Sequence, residues 1–100
     1  MTPEVKATYR MMLFVAGDER NSQAARANLH KLCDQYLRGR AVVEIVDVLT
    51  DYRKALEFRV LITPALVVLH PAPMVRIVGT LEDTEAILAA LRLSSNGQRP

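Results

Sequence analysis

Between Tyr9 and Ala16 nearly every position is apolar, with Met, Leu, Phe and Val in unbroken succession, and the run stops at Gly17 and Asp18. A strand buried on both faces leaves that pattern, because neither side needs polar residues for solvent. A polar corner follows, Asp18-Glu19-Arg20-Asn21. A helix can then start with Asn21 or Ser22 as N-cap, since either side-chain oxygen can accept unpaired amide protons of the first turn. Ala25, Leu29, Leu32, Cys33, Tyr36 and Leu37 recur at spacings of three and four and form one apolar face, and Gly39 supplies a left-handed stop. From Ala41 to Val48, the β-branched residues Val42, Val43, Ile45, Val46 and Val48 favour a second strand. Strand, helix, strand within this span predicts a right-handed βαβ unit with parallel neighbouring strands. Thr50 or Asp51 can cap a shorter helix reaching about Arg59, with Ala55 and Leu56 facing inward.

The second half changes rhythm. Leu66 to His70 and Met74 to Gly79 are short apolar segments separated by Pro71, Ala72 and Pro73, a connection brief enough to allow only an antiparallel hairpin. Thr80, with Asp83 three residues on, offers a variant capping box for a last helix whose inward face is Thr84, Ile87, Leu88 and Leu91. The order βαβαββα predicts an α/β fold of thioredoxin-like type. Its four-stranded mixed sheet carries helices on it, with the first strand central and the third antiparallel to the others. Residues 1–93 form the expected domain, and the polar segment 94–100 reads as a frayed tail.

One hundred residues, 50% hydrophobic and 24% charged, supply one core and little room for inserted sites. The net charge of +2 is scattered without a run, and Tyr9, Phe14, Tyr36, Tyr52 and Phe58 do not line up with a basic stripe, which argues against nucleic-acid binding. Cys33 is the sole cysteine, so no disulfide can close within the chain and no thiolate cluster can hold a metal. Met1 to Thr8 lacks the apolar stretch of a signal peptide, and no apolar run approaches the roughly 20 residues of a membrane helix. A cytoplasmic protein without membrane attachment is expected.

Candidate chemistry is sparse. A redox enzyme of thioredoxin-like type carries Cys-x-x-Cys where the first strand turns into the first helix, because the helix N-terminus stabilises a thiolate. Here that corner reads Asp18-Glu19-Arg20-Asn21-Ser22-Gln23, while Cys33 falls mid-helix on an apolar face, where cysteine packs as a small core residue. His30 and His70 lack sequence neighbours suited to metal ligation or proton relay, and Ser22 lacks a nucleophile turn. Glu82, Asp83 and Glu85 suit the start of a helix, whose dipole favours negative charge. No catalytic residue, metal ligand or cofactor is expected. Thr63-Pro64 opens the third strand where thioredoxin-like proteins carry a cis peptide, so that resemblance implies cis, against the trans proline that strands also tolerate at their start.

Leu13-Phe14-Val15-Ala16-Gly17, Val43-Glu44-Ile45-Val46-Asp47-Val48-Leu49, Ile62-Thr63-Pro64-Ala65-Leu66 and Pro71-Ala72-Pro73-Met74-Val75-Arg76-Ile77-Val78-Gly79 together resemble the KaiB family of clock proteins over roughly Tyr9 to Leu93. The resemblance implies a non-enzymatic adaptor that binds the KaiC ATPase and, in the cyanobacterial clock, captures KaiA and displaces an output histidine kinase. It also implies two packings of one sequence. One is a tetramer whose rearranged C-terminal half ends in a strand, and the other a thioredoxin-like monomer that binds KaiC, so that binding is gated by a fold equilibrium.

Where the family typically carries Ile-Gly-Leu-Asp, this chain has Ala89-Ala90-Leu91-Arg92. Alanine for glycine favours helix by about 0.5–1 kcal/mol, and a cation for an anion in the last helical turn adds about as much through the dipole. Loss of a β-branched residue weakens the competing strand. The expected resting state is therefore thioredoxin-like. Arg59 matches a usually basic position and reads either as part of the surface offered to KaiC or as a solvated helix end. Glu44 stands where the second strand is usually basic, on the edge that receives KaiA, which points away from a KaiA-like partner. A KaiC homologue in a timing or stress-adaptation system is the partner that fits. The competing readings are a thiol enzyme using Cys33 and a stand-alone homo-oligomer, dimer or tetramer.

Overall fold

The computed structural model describes residues 9–93. Its elements are β1 (Tyr9–Val15), α1 (Arg20–Tyr36), β2 (Ala41–Asp47), α2 (Tyr52–Glu57), β3 (Ala65–His70), β4 (Val75–Val78) and α3 (Thr84–Ala90). They form one sheet in the order β2-β1-β3-β4, with β1 parallel to β2 and β3 antiparallel to both β1 and β4. This is the expected βαβαββα arrangement, with β1 and β3 in the middle. The unbroken apolar run of β1 follows from that position, since each of its faces is covered.

Alternation along the strand sorts the core into two layers. Tyr9, Met11, Leu13 and Val15 pack with Leu29 and Leu32 of α1 and with Ile87, Leu88 and Leu91 at the C-terminal helix. Met12 and Phe14 point the other way, to Val46, Ala55 and Val67, and the Phe14 ring lies 6.0 Å from that of Phe58. Helices α1 and α3 thus cover one face and the much shorter α2 the other. The α1 side holds 15 of the buried core residues and the α2 side five, so α2 is the more lightly anchored layer.

Several local expectations are corrected. Helix α1 is capped neither by Asn21 nor by Ser22: Glu19 is the N-cap, its carboxylate accepting the amides of Asn21 and Ser22. Ser22 is instead fully buried, its hydroxyl accepting the Ala16 amide at 3.0 Å and so tying the end of β1 to the helix. Helix α3 begins at Thr84 with Asp83 as N-cap, while the Thr80 hydroxyl donates to Glu82 in the preceding loop. The late start follows from Leu81, buried and with φ of 64°, which turns the chain before a helix can begin. Leu56, expected inward, is 69% exposed, because Ala55 and the Phe58 ring already fill the space under α2. Asp51, of the two candidates, caps α2.

The Thr63-Pro64 peptide is cis, as its resemblance implied, and His70-Pro71 and Ala72-Pro73 are cis as well. Residues 84–90 coil; the alternative packing ending in a strand is not the one adopted. The expectations for the segment Met1 to Thr8 and for a frayed tail at 94–100 lie outside the described residues.

Both short helices end in the same way. At α3, the Arg92 amide donates to the Ala89 carbonyl and the Leu93 amide to that of Leu88, with Arg92 at φ 60°. At α2, the Arg59 amide donates to Leu56 and the Val60 amide to Ala55, with Arg59 at φ 55°. These paired bonds form a Schellman closure, whose left-handed position is usually glycine. Arg92 therefore lies just beyond the helix and not within its last turn. The buried Tyr9 hydroxyl donates to the Leu91 carbonyl at 3.2 Å, so the first strand also holds the end of the last helix.

Candidate partner-docking surface

The β1–α1 corner is built from backbone ties. The Gly17 amide donates to Asp47 Oδ1, which also accepts the Leu49 amide, so one carboxylate joins the loops after β1 and β2. Cys33 is far from this corner in sequence, half-buried in α1 at the wall of an open groove of about 530 Å³ that Leu29, Val43 and Ile45 also line. Burial, assisted by the neighbouring Asp34 charge, pushes its thiol up to about 11, which keeps it protonated at neutral pH. His30 lies 3.4 Å from Asp34 on the exposed side of the same helix. Among the described residues no group of three or more His, Cys, Asp or Glu side chains could hold a metal ion.

The opposite side of the sheet is different. Helix α2 turns Tyr52 and Leu56, one helical turn apart, into solvent at 59% and 69% exposure. The loop that follows leaves Leu61 and Ile62 at 92% and 63%. Arg59, Leu61, Ile62, Arg76 and Val78 line one shallow hollow where α2, this loop and β4 meet. Arg53 and Arg59 make no ion pair among the described residues. A patch of exposed apolar residues with unpaired cations around it marks an interaction site more often than a solvated surface.

The candidate residues divide between the two faces. Arg59 lies in the hollow at the end of α2, a short distance along the chain from the buried Pro64 and half-buried Thr63 that lead into β3. Glu44, on β2 at the sheet edge, accepts a 3.1 Å ion pair from Lys54 of α2 and so belongs to the same side of the sheet. Ala89, Ala90 and Arg92 lie on and just after α3, on the far face. Sequence reasoning missed Tyr52, Leu56, Leu61, Ile62 and Arg76. The available signal was the pair Leu61-Ile62, adjacent apolar residues in a loop with no strand or helix to bury them.

A family model described as the KaiB domain matches residues 12–93, which takes in every element from β1 to α3. The chain belongs to the KaiB family. Among curated relatives, it is 34% identical to the circadian clock protein KaiB3 of Synechocystis, over 87% of this chain and 85% of that protein. It is 37% identical to the circadian clock oscillator protein KaiB of Cyanothece, over 93% of this chain and 88% of the relative. Among solved structures, it is similar to the N-terminal domain of SasA from Synechococcus elongatus, with a TM-score of 0.70 and 19% identity over 92% of this chain and 88% of that one. Mitochondrial thioredoxin 3 of Saccharomyces cerevisiae superposes with a TM-score of 0.69 at 18% identity, covering 86% and 78% of the two chains. The fold is therefore thioredoxin-like and the family one of circadian clock proteins. No helix of the described residues is long and apolar enough to cross a membrane.

Proposed function

We propose that this KaiB-family protein is a non-enzymatic cytoplasmic adaptor that docks on a KaiC-type ATPase through the face formed by α2, the 60–64 loop and β4. The observation that carries the reading is the exposed row Tyr52, Leu56, Leu61 and Ile62 with Arg59 at its end, present while the C-terminal segment is coiled. The apolar residues would supply the affinity, and Arg59 would select a surface with a facing carboxylate. Thr63 and Pro64 set the path of the loop that carries Leu61 and Ile62 into the face. Ala89, Ala90 and Arg92 hold the equilibrium toward the packing that displays it.

Edge strand β2 is a second place for partner selection. Glu44, balanced by Lys54, offers an incoming strand an acid where a basic edge would attract the opposite charge, which disfavours a KaiA-like protein suited to a basic edge. An output histidine kinase, as the family resemblance implies, would compete for the same position on the ATPase. The output would be a timing or stress-adaptation response.

The test is size-exclusion chromatography of the purified full chain with a KaiC-family ATPase in ADP and in ATP. A nucleotide-dependent complex is expected, weakened at least about ten-fold by Arg59→Glu, a loss typical of an interface hot spot. Absence of a complex in both nucleotide states contradicts the reading. Insulin reduction that disappears in Cys33→Ser would favour a thiol enzyme instead, and a stable homo-oligomer indifferent to the ATPase would favour a structural role.

A further inference from the structure

Arg76 is on β4, yet its guanidinium is spent on the turn that closes α2. One terminal nitrogen donates to the Phe58 carbonyl at 2.5 Å and the other to the Arg59 carbonyl at 3.3 Å. The Phe58 carbonyl is that of the C-cap, one of those left without a partner within the helix where partial negative charge accumulates, and the Arg59 carbonyl belongs to the left-handed residue just beyond it. A planar fork with two parallel donors suits this pair of acceptors in a way that a single ammonium does not. The two bonds span 17 and 18 residues and tie β4 to the turn after α2.

We infer that Arg76 is a positioning residue that fixes the end of α2 for docking, so that the face is complete only when β4 is seated in the sheet. Three observations converge. Helix α2 has six residues and one buried side chain, Ala55, so its packing alone holds it weakly. Its last residues set the direction of Arg59, which has a left-handed backbone and no ion pair among the described residues. Arg76 shares the hollow with Arg59, Leu61 and Ile62, so the residue that clamps the helix also borders the displayed surface. Any rearrangement that removes β4 from β3 withdraws the clamp and releases Arg59 and Leu56 together. The inference rests on the docking surface proposed above, but its first readout needs no partner.

That readout is amide hydrogen exchange on the full chain, comparing wild type with Arg76→Met, Arg76→Lys and the control Arg10→Ala, an exposed position at the start of β1. Loss of both charge-assisted bonds is expected to speed exchange of the Phe58, Arg59 and Val60 amides by about ten-fold or more while β1 stays protected. Lysine should restore part of the protection and Arg10→Ala should change nothing. Unchanged exchange at 58–60 in Arg76→Met overturns the inference, as does a uniform loss across β1, which would mark a general structural role. The second readout is affinity for a KaiC-family ATPase in ADP. Arg59→Ala should weaken binding in wild type and add little in the Arg76→Met background, whereas full additivity would overturn positioning. If no form binds but exchange at 58–60 rises, the clamp is supported and the docking reading alone fails.

Discussion

Two arginines, Arg59 and Arg92, occupy left-handed positions that most helices give to glycine. An L-residue there costs roughly 1–2 kcal/mol, which glycine avoids while giving up some backbone entropy. Arg92→Gly is therefore expected to stabilise the protein by about 0.5–1 kcal/mol, whereas Ala90→Gly, only two residues earlier but inside α3, should destabilise it by a similar amount. Urea unfolding of the two variants checks the opposite signs. The charge argument for Arg92 survives its displacement from the last turn, since a cation beside the helix end still meets the exposed carbonyls. Cys33 gives a pH prediction. Its thiol titrates near 11 in the fold and at 9.0 when unperturbed, so the unfolded chain loses this proton first as pH rises. The contribution to stability is fully present below pH 9 and is lost between 9 and 11. Cys33→Ser should flatten that part of the stability profile and leave neutral pH behaviour without a thiolate component.

At the scale of elements, the first half was plain in the sequence because β1, α1 and β2 are long enough for their periods to show. The parallel pairing followed from the length of the crossover, and the two faces of β1 followed from its unbroken apolar run. Helix α2 was not legible to the same degree. Six residues give fewer than two turns, too short a pattern to place a face, so Leu56 reads as inward where the structure turns it out, and the tie from Arg76 to the helix end leaves no trace in hydrophobic periodicity. The caps at Arg59 and Arg92 escaped for a related reason, since no glycine announces them. The end of α3 is held by the Tyr9 hydroxyl on the Leu91 carbonyl, a buried bond between the ends of the described chain. Tyr9→Phe removes the donor and keeps the ring. It is expected to cost about 1 kcal/mol and to raise exchange at Leu91 to Leu93 more than in β1, measured by urea unfolding and hydrogen exchange.

For the molecule as a whole, the resemblance to the KaiB family and the thioredoxin-like architecture could both be read from residues, but the proposed docking face could not, because it is assembled from α2, a loop and β4 by tertiary contacts. In the proposed reading, its display goes with the C-terminal segment remaining coiled against β1. If this chain shares the second packing that the family resemblance implies, the alanines at 89 and 90, the Schellman closure and the Tyr9 bond all favour the coiled one. The most direct test is backbone NMR of the free full-length chain, reading secondary chemical shifts from Thr84 to Leu93. The account predicts helical shifts through Ala90, a left-handed Arg92 and a single dominant set of resonances. Extended shifts from Ile87 to Leu93, with cross-strand contacts to another segment or another copy, would contradict it.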